Sequence, residues 1–386
     1  MPIKNRFAEM LPDITAWRRD LHAHPEILFD THRTAALVAE KLRQFGCDEV
    51  VTGIGRTGVV GVIKGRCPSA RVIALRADMD ALPIIEQTGL PYASTTPGAM
   101  HACGHDGHTA MLLGAAKYLT ETRNFAGTAV VIFQPAEEGG GGGREMCADG
   151  MMDRWKIDEV YGMHNWPGRP VGSFAIRPGP FFAATDQFVI VIEGKGGHAA
   201  KPHETVDPTL VASHLVLALQ SIVSRNADPV SQIVVSVTSF ETSSTAFNVI
   251  AQRVTLKGTV RTLSADNRAM AEVRIRALAG AVAIGFGAEA QIDYLRGYPV
   301  MANAPDQTGF AAQVARSVAG ACDDAPLIMG GEDFAFLLQE RPGAYILVGN
   351  GDTAAVHHPG YDFNDDAIPA GCSWWAGIVE QRMPVG

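Results

Sequence analysis

Several segments of the chain are continuously apolar and become polar only at their carboxyl ends. This pattern is typical of strands that are buried on both faces of a sheet. Between them lie segments with apolar residues three or four positions apart, as at 33–46 and 108–122, which predict amphipathic helices. The alternation predicts an α/β domain with a largely parallel sheet. The predicted strands are 71–80, 128–138, 158–166 and 344–351.

The middle of the chain follows a different order. One strand is followed by a helix at 206–225, then by two strands, a helix at 265–287 and a last strand. The order β-α-β-β-α-β is the ferredoxin-like arrangement. We therefore predict a ferredoxin-like domain inserted into the α/β domain. The predicted ranges are 185–296 for the insert and 1–184 with 297–386 for the α/β domain.

A run of five glycines follows the second predicted strand. Gly139–Gly143 resembles a phosphate-binding loop, but no Lys-Ser or Lys-Thr pair follows it, which argues against nucleotide binding. We expect this run to form a short flexible loop.

Composition excludes several classes of protein. The 386 residues are 47% hydrophobic and 19% charged, which is typical of a globular chain with two domains. The net charge is −9 and basic residues are not clustered, which argues against a nucleic-acid partner. No apolar run is long enough to span a membrane, and the first twenty residues do not resemble a secretory signal. We expect a cytoplasmic protein without a membrane partner.

The six cysteines are widely spaced and give no sign of a disulfide framework. We interpret five of them as reduced structural residues, in keeping with a reducing cytoplasm. Cys103 is the exception, because it lies in the segment MHACGHDGHTA among three histidines and one aspartate.

Metal-capable side chains concentrate where the predicted strands end, which is where parallel sheets bind ligands. Sulfur, imidazole and carboxylate together suit zinc or a similar metal such as manganese, cobalt or nickel. The candidate ligands outnumber the four that one structural zinc site needs, which favours two divalent metal ions with the Cys103 thiolate as a bridge. Two metals ~3.5–4 Å apart can activate water and polarise a carbonyl. The candidates are Asp78, Asp80, Cys103, His105, Glu137, Glu138, His164, His357 and His358.

Seven segments of the chain form motifs that occur together, in order: RADMDALPI, MHACGHDGHTAMLLGAA, FQPAEEGGGG, GMHNWPG, GGHAAKPH, MGGEDFAF and HHPGYDFND. With these motifs the chain resembles the aminoacylase and carboxypeptidase family of dinuclear metallohydrolases, of the M20 type. It is most similar to the branch of hippurate hydrolases and indole-acetyl-amino-acid hydrolases. The resemblance begins at Arg18 and extends almost to the C-terminus. It implies a zinc-peptidase-like α/β/α catalytic domain whose inserted ferredoxin-like domain is a lid that forms a homodimer.

The resemblance also implies a role for each matching residue. The implied metal ligands are Cys103 as bridge, His105, Glu138, His164, and His357 rather than His358. Glu137 is the implied general base, Asp80 a carboxylate that orients the site, and His198 a residue that reaches the partner subunit's site to stabilise the oxyanion. Asn248, Arg261 and Gly331 match substrate contacts. We interpret His101 and His108 as supporting or packing groups. Because adjacent side chains on a strand diverge, we expect Glu137 and Glu138 to divide their two tasks.

The resulting prediction is a metal-dependent amidohydrolase. Its expected substrates are small N-acyl amino acids, such as hippurate and related aroyl or indole-acyl conjugates, which it cleaves to a carboxylic acid and an amino acid. One alternative is a metallo-dipeptidase or carboxypeptidase, whose substrates carry a free amine. A second alternative is a catalytically silent relative used for binding.

Overall fold

The computed structural model describes residues 5–386 and shows two compact units. The first unit comprises the chain up to Gly179, Ala302–Pro326 and Asp333–Gly386, and the second comprises Pro180–Met301 and Leu327–Glu332. The predicted insert falls inside the second unit. The short segment Leu327–Glu332 was assigned to the α/β domain from sequence, yet it joins the second unit because Ile328 exchanges backbone hydrogen bonds with Phe181 and Ala183.

The helices and strands have the following bounds. The helices are α1 (Asn5–Ala23), α2 (His32–Phe45), α3 (His105–Thr122), α4 (Gly142–Ala148), α5 (Met151–Arg154), α6 (Pro208–Ser221), α7 (Ala265–Gly285), α8 (Pro305–Ala319), α9 (Phe334–Glu340) and α10 (Ile368–Arg382). The strands are β1 (Glu49–Ile54), β2 (Gly58–Lys64), β3 (Cys67–Asp78), β4 (Ala126–Gln134), β5 (Glu159–Trp166), β6 (Phe174–Ile176), β7 (Gly179–Phe182), β8 (Ala184–Glu193), β9 (Gly197–His198), β10 (Ile233–Thr242), β11 (Val249–Ile250), β12 (Arg253–Thr262), β13 (Glu289–Arg296), β14 (Met301–Asn303), β15 (Asp323–Asp324) and β16 (Gly343–Gly349). Within residues 5–386, no helix has both the length and the apolarity that crossing a membrane requires.

The first unit is built on an eight-stranded sheet with the order β1-β2-β4-β3-β5-β16-β6-β15. The four central strands β4, β3, β5 and β16 are parallel to one another, whereas β2 and β6 run antiparallel on either side of them. The predicted parallel arrangement is therefore confirmed for the centre of the sheet. The antiparallel strands at its sides were not recognised in the sequence.

Helices cover both faces of this sheet. On β16, Ile346 packs into the core that also contains the buried Trp374 of α10, while the adjacent Tyr345 stacks on Phe334 of α9 with ring centroids 5.0 Å apart. Every residue of β16 is therefore buried. This two-sided burial is the physical reason for the continuous apolar runs in the sequence.

The register of the parallel strands brings their carboxyl ends level. Asp78, the last residue of β3, pairs with Gln134, the last residue of β4. On the other side of β3, Arg76 pairs with Gly162 of β5, so His164 stands beside the end of β3. Side chains that follow these three strands therefore lie at one edge of the sheet.

The second unit has the predicted β-α-β-β-α-β order, formed by β8, α6, β10, β12, α7 and β13. Its four strands form an antiparallel sheet with the order β10-β12-β8-β13. Helix α6 begins at Pro208, and the side chain of Asp207 accepts a hydrogen bond from the Thr209 amide as a helix cap. A small separate pair, β9 and β11, joins His198 to Val249.

The expectation of a flexible loop at the glycine run was wrong for its last two residues. Gly142 and Gly143 begin helix α4 and are buried. A Cβ on Gly142 would lie 1.8 Å from the carbonyl oxygen of Pro135, and the Gly143 amide donates to Asp333 at 2.8 Å. Glycine is therefore needed at the start of α4, because this helix begins directly against the backbone of Pro135, two residues before Glu137.

Replacing Gly142 with alanine tests this packing. The added methyl group meets rigid backbone, so we expect Gly142→Ala to lower the free energy of unfolding by about 1–3 kcal/mol. Gly280 in α7 is the matched control, because a Cβ there meets nothing within 4 Å. Gly280→Ala should raise stability by roughly 0.5–1 kcal/mol. Urea unfolding followed by circular dichroism measures both variants, and equal tolerance of the two would refute the packed start of α4.

Candidate metal centre

The first unit brings five dispersed side chains to one edge of its sheet. Cys103 lies two residues before α3, and His105 is the first residue of that helix, which begins three residues earlier than the pattern predicted. The other three lie in or after strands: His164 lies in β5, Glu138 lies after β4, and His357 lies in the loop after β16. All of these positions were singled out in the sequence by residue type and motif.

Two groups of potential ligands share the sulfur of Cys103. One group is Cys103, His105 and His164, and the other is Cys103, Glu138 and His357. In each group, one ligand atom from every residue lies within 4.8 Å of the others. The shared sulfur is the arrangement that two cations with a thiolate bridge require.

Hydrogen bonds fix which nitrogen of two histidines faces this cluster. The Nδ1 of His105 donates to the backbone carbonyl of Asp80 at 2.9 Å, and the Nδ1 of His164 donates to the backbone carbonyl of Asn165 at 2.6 Å. In a neutral ring, the Nε2 then carries the lone pair, as in histidines that bind metals. The Nε2 of His164 lies 3.4 Å from the Cys103 sulfur, and the buried Nε2 of His105 has no hydrogen-bond partner.

The second group includes a strained residue. His357 has a φ of 65°, in the left-handed region, and its amide donates to the Ala102 carbonyl at 2.7 Å. Its Nε2 lies 3.2 Å from the Oε1 of Glu138. Backbone strain of this kind costs about 1–3 kcal/mol and concentrates at functional sites.

Asp80 positions both glutamates through their backbone. Its two carboxylate oxygens accept the amides of Glu137 and Glu138, each at 3.0 Å. The glutamates lie in a turn beyond β4, after Ala136 with a φ of 55°, so the expectation that strand alternation separates them was wrong. The turn and the Asp80 carboxylate set their directions instead. Nothing in the sequence distinguished Ala136 as part of this arrangement.

Electrostatics in the cluster favour added positive charge. Burial and the carboxylates of Glu138 and Glu137 raise the pKa of the Cys103 thiol well above its ordinary value. Burial opposes protonation of His105, but Asp78 and Asp80 raise its pKa to about 10. Burial lowers the pKa of His164 well below its ordinary value, so this ring is neutral. Bound cations would relieve the excess negative charge and stabilise the thiolate.

These observations test whether the residues fit metal ions. The donors are sulfur, imidazole nitrogen and carboxylate oxygen, which suit zinc and similar divalent ions. The buried Nε2 of His105 lacks a hydrogen-bond partner, although buried polar atoms are nearly always paired. The site therefore fits divalent cations.

The other site residues that the resemblance implies lie in the second unit: His198, Asn248, Arg261 and Gly331. His198 is exposed on β9, and the adjacent Ala199 amide donates to the carbonyl of Asn248 at 3.0 Å. Arg261 is half-buried on β12, and a Cβ on Gly331 would collide with Thr185. The structure thus places His198 beside Asn248.

The first unit is an α/β/α domain that gathers sulfur, imidazole and carboxylate groups around a shared cysteine, which is the donor set of a metal centre. The chain belongs to Peptidase family M20/M25/M40, whose family model matches residues 74–381. The resemblance to this family is therefore confirmed, and so is the fold class, an α/β/α domain with a ferredoxin-like domain.

Named relatives cover nearly the whole chain. The hippurate hydrolase of Campylobacter jejuni is 42% identical over 94% of this chain and 94% of its own length. The N-acetylcysteine deacetylase of Bacillus subtilis is 38% identical, again over 94% of both chains. Among solved structures, a dinuclear metal-binding peptidase of the M20 family from B. subtilis is 34% identical, covers 97% of this chain and 99% of its own, and has a TM-score of 0.86.

The number of metal ions bound by each variant distinguishes Cys103, which both groups share, from ligands that belong to one group only. Because Cys103 belongs to both groups, we expect Cys103→Ala to remove most of both metal equivalents. His164→Ala and His357→Ala each alter one group, so each should leave close to one equivalent per chain. His358→Ala is the control, because His358 is exposed and belongs to neither group. Elemental analysis after dialysis against zinc measures the content, and two full equivalents in Cys103→Ala would contradict the shared sulfur.

Proposed function

We propose that this hydrolase cleaves the amide bond of N-acyl amino acids and releases a carboxylic acid and an amino acid. Hippurate and related aroyl or indole-acyl conjugates are the proposed substrates. The main supporting observation is the position of Glu137, whose carboxylate lies within 4.8 Å of the ligand atoms of His105 and Glu138. Similarity to a hippurate hydrolase and to an N-acetylcysteine deacetylase supports the choice of substrate class.

The proposed ligands of the first cation are Cys103, His105 and His164, and those of the second are Cys103, Glu138 and His357. Two zinc, manganese, cobalt or nickel ions are proposed. When bound, they would lower the pKa of a water molecule and polarise the substrate carbonyl.

Glu137 is the proposed general base. It is buried, and its amide is held by Asp80 while the Asp333 amide approaches its Oε1 at 3.4 Å. A carboxylate fixed in this way can take the proton from the attacking water and then deliver it to the leaving nitrogen. Asp80 is proposed to orient the site because it holds both glutamates in place.

His198 is proposed to stabilise the oxyanion that forms at the substrate carbonyl. Its Nδ1 accepts a hydrogen bond from the Ala200 amide at 3.1 Å. The proton of the neutral ring is then on Nε2, which makes the exposed end of the ring a hydrogen-bond donor. A donor aimed at the developing negative charge is the feature that this role requires.

Arg261, Asn248 and Gly331 are proposed to recognise the substrate. Arg261 donates to the Thr259 hydroxyl and to the Val260 carbonyl. Among the described residues, no carboxylate lies within ion-pair distance of it, so its charge is available to the carboxylate of an amino acid. The planar guanidinium suits bidentate carboxylate binding.

We also propose that the chain forms a homodimer through its second unit, with His198 acting in the partner's site. The motifs of the second unit support this proposal through their resemblance to the family, and exposed apolar side chains on that unit are available to be buried in such an interface. Leu217, Val230 and Phe247 are 71%, 83% and 106% exposed.

The role of Glu137 is tested by removing its basicity alone. We expect Glu137→Gln to keep two metal equivalents and to lower kcat about 10²–10⁴-fold, because the amide cannot accept the proton. Steady-state hydrolysis of hippurate and elemental analysis of the same preparation provide the two measurements. Wild-type turnover by this variant would rule out the proposed base.

The substrate class is tested with matched pairs of compounds. Each pair contains an N-acyl amino acid and the dipeptide in which the acyl group is replaced by an amino acid with a free amine. We expect higher kcat/KM for the acylated member, loss of hydrolysis after chelation, and recovery when zinc, manganese or cobalt is added. Preference for the free amine would favour the dipeptidase alternative, and no turnover of any compound would favour a silent binding relative.

A further inference from the structure

We infer that Asn165, held in place by His108, is a positioning residue that fixes both Cys103 and His164 for cation binding. The inference rests on the proposed metal-dependent function. It concerns two residues that are not among the proposed ligands, and it assigns a reason for the third histidine of the segment MHACGHDGHTA.

His108 lies close enough to the cluster to be a ligand, but neither of its ring nitrogens is free to bind a cation. Its ring lies near Asp78 and His105, and ligand atoms of the three are within 4.8 Å of one another. However, its Nδ1 donates to the Asp78 carboxylate at 2.7 Å, which leaves Nε2 as the acceptor. That Nε2 accepts the backbone amide of Asn165 at 2.9 Å. Both nitrogens are therefore engaged, and Asp78 is itself fixed by Arg76 at 2.8 Å.

Asn165 connects this pair to two proposed ligands. It is fully buried, and its Nδ2 donates to the backbone carbonyl of Cys103 at 2.5 Å. Its own backbone carbonyl accepts the Nδ1 proton of His164 at 2.6 Å, the hydrogen bond that directs the His164 Nε2 toward the sulfur. Its Oδ1 accepts the Tyr361 hydroxyl at 2.7 Å, which sets the orientation of the amide. One residue thus holds both partners of the 3.4 Å contact between the Cys103 sulfur and His164.

The loop that carries Cys103 is packed directly on this amide. Gly104 has a φ of 89°, and a Cβ at this position would collide with the Asn165 Nδ2 and with the Tyr361 hydroxyl. Only glycine allows so close an approach without strain. The position of the Cys103 backbone is therefore set by contact with Asn165 as well as by a hydrogen bond.

Two substitutions of His108 separate the contacts of its two ring nitrogens. His108→Gln places an oxygen near the former Nε2 and can still accept the Asn165 amide, but it loses the bond to Asp78. His108→Asn keeps a donor toward Asp78 and leaves the buried Asn165 amide without an acceptor. If His108 acts through Asn165, cation affinity should fall further in His108→Asn than in His108→Gln. Asn165→Leu removes the side-chain amide outright and is the direct variant.

The measurement is a cobalt(II) titration of the metal-free protein, followed by the thiolate-to-cobalt absorption band and by the number of bound equivalents. For the wild type we expect two equivalents and a thiolate band. For Asn165→Leu and His108→Asn we expect the same stoichiometry at saturation, with affinity reduced about 10–100-fold, as for other residues that orient metal ligands. Circular dichroism of the metal-free variants checks folding. If Asn165→Leu does not fold, the comparison of cation affinity between His108→Asn and His108→Gln tests the inference.

Three outcomes overturn the inference. Unchanged affinity in folded Asn165→Leu and His108→Asn would show that the contacts do not position the ligands. Loss of one equivalent at saturation in both His108 variants, with a cobalt spectrum that indicates one nitrogen fewer, would make His108 a ligand. A wild type that binds no cobalt would overturn the proposed metal-dependent function itself, which distinguishes that failure from a failure of the positioning role alone.

Discussion

The candidate site depends on one constraint, which is that a single sulfur must be close to two sets of donors. Cys103 satisfies it because the chain before α3 crosses the edge of the sheet where β3, β4 and β5 end level with one another. From this position the sulfur lies within 4.8 Å of ligand atoms of His105 and His164 in one group and of Glu138 and His357 in the other. A parallel sheet supplies this geometry because its strands all end at one edge.

Buried polar groups around the cluster hold the donors in place. Asp80 accepts two backbone amides, and carbonyl groups accept the Nδ1 protons of His105 and His164. Buried networks of this kind are stable only when nearly every member is paired. The unpaired Nε2 of His105 is therefore informative, because the polar groups around it have hydrogen-bond partners.

Part of this arrangement could be predicted from the sequence. Continuous apolar runs identified the central strands because helices bury both faces of the sheet, and the motifs identified the family and the proposed ligands. The motif separated His105 from His108, but residue type alone does not explain the difference, which lies in the partners of the two rings. The His105 Nε2 has no hydrogen-bond partner, whereas the His108 Nε2 accepts the Asn165 amide. Asn165 and Ala136 carried no signal, since a neutral amide and a methyl group do not resemble metal ligands. The glycine run was misinterpreted because the sequence does not show that Gly142 packs against the Pro135 backbone, or that the Gly143 amide donates to Asp333, far away in the chain.

The most direct test of the shared sulfur is a crystal structure of the zinc-loaded protein with anomalous diffraction data. The account predicts two zinc peaks, each within bonding distance of the Cys103 sulfur, one beside the Nε2 of His105 and His164 and the other beside Glu138 and His357. A single peak, or two peaks of which only one contacts Cys103, would contradict it.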